Sequence, residues 1–487
     1  MYLFRLLILL SVIIIVPHAV QSITLPTFLD SVAANHPLIS QQEFRPRISD
    51  IRRQGFLAAE DWRLRVNPRY SHVEPVSTSP FAPTRVDKVS LNAAFERAIW
   101  NTGGELSFSW QTNYTDQELP NINIPGPAGD QSISTGAPRL YEHIVSVGFT
   151  QPLLQNRGGD LDRLQYDLGA FETTIADLQS SEDIEEFLAN LSGQFVTWVS
   201  LAAQAEIIQQ RLELAQEERS HLKERYDVNL IDRADLLRAE NAYRTVRQQL
   251  VLAESRRDAQ AARLAELAQW EALIEKRPEY DLFRTAELPS LDSAYAIIET
   301  DGREIQVLRT QRDQMERQLS AYEQTELPRL DLNLSLGLMG GDDTFGESVT
   351  IDDPRWAIGL LFQHPLGAHA AETDIQVVRL QQKQLKMSEQ NLLLQIRSSV
   401  RTILKRMRDL EDVLELNRAA IESARERWQE EQKLYRQGRG QLVWVIQAQD
   451  MEQNARLTYA QNAATYHQLL IDLRELTDQI VDGSAIR

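Results

Sequence analysis

Twice along this chain the spacing of apolar residues changes from a period of two to a period near three and a half, which limits its possible folds severely. In the first half Leu106, Phe108, Trp110, Thr112 and Tyr114 alternate with Ser107, Ser109, Gln111 and Asn113. Val145, Val147 and Phe149 alternate with Ser146, Gly148 and Thr150 in the same way. In the second half Leu330, Leu332, Leu334, Leu336 and Leu338 alternate with Asp331, Asn333, Ser335 and Gly337, and Trp356, Ile358, Leu360 and Phe362 obey the same rule. Strict alternation marks strands whose two faces meet different surroundings. One apolar face and one small or polar face suits a barrel with lipid outside and water inside. It suits a soluble sandwich equally well.

After each strand pair the period lengthens. Residues 160–228 read as a single helix of about 100 Å at 1.5 Å per residue, with Trp198, Leu201, Ala205, Ile208, Leu212, Ala215, Leu222 and Tyr226 at alternating steps of three and four. Only Arg219 interrupts that stripe. A returning helix continues it through Leu236, Ala239, Tyr243, Val246, Leu250 and Ala253. Residues 370–436 repeat the outgoing pattern with Met407, Leu410, Leu414, Ile421, Ala424, Trp428 and Tyr435, and the return runs from Val445 and Ala448 to Tyr466, Leu473 and Ile480. These patterns predict two antiparallel coiled-coil hairpins. Asn229 and Gly438 stand at equivalent tip positions, and both residue types readily take the left-handed conformation that ends a helix. Asp232, followed by Asp235, is placed to cap the first return.

Short echoes in the same order join the two halves. Leu25, Pro26, Leu29, Asp30 and Ser31 return as Leu288, Pro289, Leu291, Asp292 and Ser293. Pro68-Arg69-Tyr70 returns as Pro328-Arg329-Leu330, Gln151-Pro152-Leu153 as His364-Pro365-Leu366, and Tyr226 with Ala239 as Tyr435 with Ala448. The expected organisation is therefore a tandem repeat, with halves at 23–287 and 288–487.

Several function classes are excluded or weakened. Without a cysteine among 487 residues there are no disulfides, thiolate metal sites or cysteine nucleophiles. A net charge of −19 with no Lys/Arg-dense stripe argues against nucleic-acid binding. A mean hydropathy of −0.36 excludes a bundle of membrane-spanning helices. The apolar run Leu6 to Val16, behind Arg5 and ahead of Pro17 and Ala19 to Ser22, is too short for a spanning helix, which needs about 20 residues. It reads as a secretory signal peptide over 1–22, with a membrane anchor as the alternative. No phosphate-binding loop, G-x-S-x-G sequence or helical histidine pair with a third ligand is present, and His364 with His369 sits at a strand end without one. No catalytic site, metal or cofactor is expected.

An export signal, membrane-type strands and very long helical hairpins arranged twice resemble the TolC-like outer-membrane channel family. The resemblance spans nearly the whole mature chain. It rests on Asn35-His36-Pro37-Leu38, on Phe149-Thr150-Gln151-Pro152-Leu153-Leu154, and on Tyr226-Asp227-Val228-Asn229-Leu230 running into Asp235-Leu236-Leu237-Arg238-Ala239. It rests also on Tyr435-Arg436-Gln437-Gly438 with Val445-Ile446-Gln447-Ala448 behind it. The implied fold is α+β and mostly α: a trimeric transmembrane β-barrel continued by a long periplasmic α-helical barrel, built from two repeats per chain. The implied function is an exit duct in the bacterial outer membrane, serving an efflux pump or a type I secretion transporter. The implied partners are two further copies of the chain, outer-membrane lipid, a periplasmic adaptor and an inner-membrane transporter. The alternative is a structural trimer, a stalk or adhesin that conducts nothing.

The tip residues Val228, Asn229, Leu230, Gln437, Gly438 and Arg439 are then the adaptor-docking candidates. Helix reversal alone explains Asn229 and Gly438, but not an exposed Val228 and Leu230. Members often place acidic residues on the first turns of the second returning helix, where a threefold ring narrows the tunnel. The matching positions here hold Trp444 and Gln447. These two, with Arg439 and the nearby Asp235 and Arg238, are the constriction candidates; the other reading of Trp444 is a residue packed between helices. A second departure lies in the strands. From Pro68 to Pro152 is 84 residues, against 37 from Pro328 to Pro365, which leaves 47 extra in the first half. They include the alternating run Val89, Leu91, Ala93 and Phe95 and the turn Asn101-Thr102-Gly103-Gly104. The first half therefore supplies either two barrel strands or four.

Overall fold

The structure, a computed structural model, describes residues 22–76, 82–120, 122–124, 131–133, 139–367 and 369–480. The expected signal peptide lies, except for Ser22, outside the described residues. In chain order the elements are β1 (Ser22–Thr24), α1 (Leu25–Asn35), α2 (Pro37–Gly55), β2 (Arg63–Val73), β3 (Arg85–Ile99), β4 (Gly104–Glu118), β5 (Ile122–Ile124), β6 (Gln131–Ile133), β7 (Leu140–Pro152), α3 (Asp160–Asp227) and α4 (Arg233–Leu267). They continue as β8 (Arg277–Glu279), α5 (Leu291–Asp301), α6 (Arg303–Thr325), β9 (Arg329–Asp342), α7 (Phe345–Ser348), β10 (Asp353–Gln363), α8 (His369–Arg436) and α9 (Leu442–Leu476). The chain divides into two units assembled from separated pieces. One takes residues up to 43, 179–305 and 391 onward; the other takes 44–178 and 306–390.

The second unit holds a six-stranded antiparallel sheet in the order β10-β9-β7-β4-β3-β2. Because side chains alternate across a strand, register decides whether the alternating runs share a face. They do. One row of partners reads Val66, Ala93, Trp110, Val145, Leu338 and Pro354, and the row beside it reads Leu64, Phe95, Phe108, Val147, Leu336 and Trp356. Much of this apolar face is uncovered, with Trp356 74% and Leu336 66% exposed. A sandwich would need a facing sheet, and the only other sheets among the described residues are the two-stranded pairs β1-β8 and β5-β6.

The run from Val89 to Phe95 falls in β3, so the extra residues of the first half form a hairpin, β3-β4, set between β2 and β7. Its turn is held at the base of the sheet. Gly103 and Gly159 both have positive φ, and a Cβ on either would collide with backbone, Asn156 O in one case and Trp100 O in the other. Trp100 is buried and its ring lies 5.7 Å from that of Tyr166 in α3.

The two helical hairpins have matching lengths. α3 and α8 are 68 residues each, and α4 and α9 are 35 each. The seam residues read from the sequence face inward: Trp198, Ala215, Leu222, Ala239, Val246, Met407, Leu414, Val445, Ala448 and Tyr466 are all buried. Arg219 breaks the apolar stripe without breaking the packing, because its guanidinium lies 4.3 Å from the centre of the Tyr243 ring. Around residues 184–199 the helices meet α1, α5 and the segment after α4 in the main core, where Phe28, Phe195 and Trp198 stack edge to face or tilted. In the first unit Arg303, opening α6, ties α3 to the segment after α9: it binds Glu182, Glu185 and Asp478, and Glu185 is 1% exposed.

Candidate functional site

Each hairpin reverses by the same hydrogen bonds. At the first tip Asn229 has φ 61°, Leu230 N donates to Arg225 O at 2.8 Å and Asn229 N to Tyr226 O at 2.8 Å. At the second Gly438 has φ 72°, Arg439 N donates to Leu434 O at 2.9 Å and Gly438 N to Tyr435 O at 3.0 Å. This is the left-handed helix stop that Asn and Gly favour. Asp232 occupies the N-cap of α4 with extended backbone, but its side chain makes no capping bond. That part of the sequence reading fails; the first-turn charge of Asp235 remains.

The two tips meet. Leu222 of α3, Ala239 of α4 and Leu442 of α9 form one buried cluster, bordered by Ile231, Leu236, Tyr435 and Ile446. All six tip candidates are exposed, and Val228 and Leu230 are 62% and 67% exposed, which is high for apolar residues. Behind the tips, Arg238 donates to Asp235 at 2.7 Å, so this pair is internally neutralised. Trp444 is 45% exposed and Gln447 is exposed beside it on the first turns of α9. Within one chain Trp444 is thus not enclosed between helices. The remaining constriction candidate, Arg439, lies in the second turn itself and is exposed.

Farther along the helices is a polar layer that sequence reading did not single out. Arg211, 3% exposed, donates to Asp450 at 3.2 Å, while its Nε and Nη1 have no partner. It lines a cavity of about 320 Å³ with Glu213, Glu217, Arg425, Glu452 and Arg456. Trp428 Nε1 and Gln449 Oε1 are likewise buried without partners. Arg211, Gln449, Glu452 and Gln453 are charged or amide residues at buried positions of helices whose seams are otherwise apolar. The available signal was that departure from heptad chemistry, but solvated faces of long helices carry the same residues.

Nearer the far end of α9 a clasp closes over its side chains. Tyr466 Oη donates to Glu411 at 3.0 Å and accepts from Ala286 N at 3.1 Å. His467 bonds Tyr280 Oη through Nδ1 at 2.8 Å and Leu282 O through Nε2 at 3.0 Å. Burial pushes the Tyr466 hydroxyl up to about 12, aided by Glu411, and lowers His467 below its ordinary value. The first is therefore a fixed donor and the second a neutral imidazole near pH 7. No group of three or more His, Cys, Asp or Glu among the described residues is placed to hold a metal ion. Nor is any described helix long and apolar enough to cross a membrane.

No family model matches the chain, and no curated protein matches it in sequence. Solved structures do match in fold. The Campylobacter jejuni CmeC outer membrane channel is 13% identical at a TM-score of 0.62, covering 94% of this chain and 87% of its own. The outer membrane protein VceC of Vibrio cholerae is 12% identical at 0.63, with 94% and 95% covered. The open state of the Neisseria gonorrhoeae MtrE outer membrane channel is 13% identical at 0.62, with 93% and 88% covered. A likeness over nearly the full length at such low identity is one of architecture: this chain has the fold of the TolC-like outer-membrane channels.

Proposed function

We propose that this protein is the outer-membrane exit duct of a tripartite efflux or type I secretion system. Three copies close a barrel in the outer membrane of a bacterium, and their helical hairpins extend into the periplasm as a tunnel. The observation that carries this reading is the uncovered apolar face running through all six strands of the sheet. A face of that extent costs too much in water, and open sheet edges cost several kcal/mol per unpaired group in lipid. Closure by further copies answers both. The matched 68- and 35-residue helices support a duplicated chain with halves at 23–287 and 288–487. The duct is passive: the chain carries no nucleotide-binding loop of the G-x-x-x-x-G-K-[ST] type, and an inner-membrane transporter supplies the energy.

A periplasmic adaptor of the membrane-fusion type docks on Val228, Asn229, Leu230, Gln437, Gly438 and Arg439. Trp444 and Gln447, with Arg439, Asp235 and Arg238, line the narrowest part of the tunnel. Changing Val228 and Leu230 together to Asp should abolish export in cells while detergent-extracted protein still runs as a trimer; unimpaired export removes the tips from docking. Changing Trp444 and Gln447 together to Ala should raise single-channel conductance in planar bilayers. The whole reading is tested by membrane fractionation and electron microscopy of the extracted protein. A trimer with a hollow helical part supports it, and a solid stalk favours the structural alternative.

A further inference from the structure

The six-stranded sheet ends in two open edges, β2 and β10, each of 11 residues. Every residue of β10 is exposed, and so is all of β2 except Ser71. Six strands cannot close on themselves, since even the smallest membrane barrels have about eight. The edges match each other. In an antiparallel sheet of six, β2 and β10 run in opposite directions, so β10 of one copy set beside β2 of the next continues the alternation. Their apolar residues also lie on the same face of the sheet: Leu64, Val66 and Tyr70 on β2, and Trp356, Ile358 and Leu360 on β10.

The inserted hairpin is part of this wall. β2 pairs with β3 at 11 positions and β4 with β7 at 11, so expelling β3-β4 would break both ladders. The apolar rows cross β3 and β4 without a shift in register, and the hairpin's turn is seated against the start of α3. Resting on the trimeric exit-duct reading, we propose that the occupant of each edge is a second copy of this chain. β10 of one copy pairs antiparallel with β2 of the next, and three copies of six strands close an 18-stranded barrel. Barrel diameter grows roughly linearly with strand number, so this mouth is about one and a half times as wide as one of four strands per chain. The seam brings a distinct chemistry to the lumen: Arg63, Arg65 and Arg69 lie on the polar face of β2, with Arg65 held by Glu96. The barrel is thus broad and carries basic residues at each seam, gathered toward the end of the sheet where the 100–104 turn meets α3, and size selection falls to the helical tunnel.

The absence of cysteine gives a clean test. Asn67→Cys is combined in turn with Ala357→Cys, Gly359→Cys and Leu361→Cys, all on the polar face, in the full chain in outer membranes. Oxidation should take at least one pair to a covalently linked trimer, while Asn67→Cys alone stays monomeric on denaturing gels. Electron microscopy of the unaltered protein should count 18 strands. An intact trimer with 12 strands and no interchain disulfide overturns this inference and leaves the exit-duct reading standing. A protein that never trimerises, or whose sheet stays out of the membrane, overturns both.

Discussion

The first and second hairpins share one backbone and differ in what holds them. Their helices match in length, their tips reverse by the same bonds, and Ala239 and Ala448 are buried at the same offset from the turn. Beyond that the chemistry parts. Where the second return buries Tyr466 and His467 under the segment 280–286, the equivalent residues of the first, Arg257 and Asp258, pair with each other near the surface. Where the first return opens with the Asp235–Arg238 ion pair, the second opens with exposed Trp444 and Gln447. Hairpin geometry needs only a repeating small or apolar seam and a left-handed stop. The other positions are free to take on separate tasks, clasping in one hairpin and solvent-facing chemistry in both.

The sharpest separation of seam from surface is between two tryptophans. Trp198, 1% exposed, fills the main core, and Trp198→Ala should cost about 3–5 kcal/mol. Trp444→Ala should change stability by less than about 0.5 kcal/mol; equal losses in denaturant titrations would break the distinction. Next comes the clasp. Tyr466→Phe strands the Ala286 amide and should cost about 1–3 kcal/mol, whereas Arg257→Ala at the equivalent place should be nearly silent. His467 adds a pH signature. Its folded value is lowered, so between its ordinary value of about 6.5 and that lower value the unfolded chain binds more protons than the folded one. Stability therefore falls as pH drops through that window and is fully present above it. Amide exchange at 280–286 should accelerate there, and His467→Gln should flatten the dependence.

The tips come third. Gly438 has open space where a Cβ would go, so Gly438→Ala isolates the backbone cost of the left-handed region, about 1–2 kcal/mol. Asn229→Gly should be neutral or slightly stabilising. Opposite signs at the two tips, read by thermal unfolding, would confirm one motif served by two residue types; equal signs would break the equivalence. Last among the expected losses is Arg238→Ala. Its pair with Asp235 is exposed, so the loss should be at most about 1 kcal/mol and should shrink further in high salt.

Much of this was legible in the sequence because it is local. Alternation located β4, β7, β9 and β10, heptad spacing placed the two outgoing helices, α3 and α8, within a residue at each end, and Asn229 and Gly438 marked both turns. Asp232 was legible as an N-cap position but not as a capping side chain, since that depends on a rotamer that local spacing leaves open. The exposure of Val228 and Leu230 was readable from a turn that offers them no seam. The 47 extra residues were visible as strands, yet their place was not, because alternation describes one strand's faces and not its neighbours. Pairing between residues 41 positions apart in chain, such as Ser107 with Gly148, put the hairpin between β2 and β7. The same holds for Arg211 and the Tyr466–His467 clasp. A charged residue on a long helix looks the same in sequence whether water or another helix lies over it. Periods, breaks and turns were therefore set by the chain's own chemistry over a few residues. Strand order, the buried polar layer and the clasp on the second return were decided only when distant segments met, because burial and pairing are properties of two surfaces rather than one.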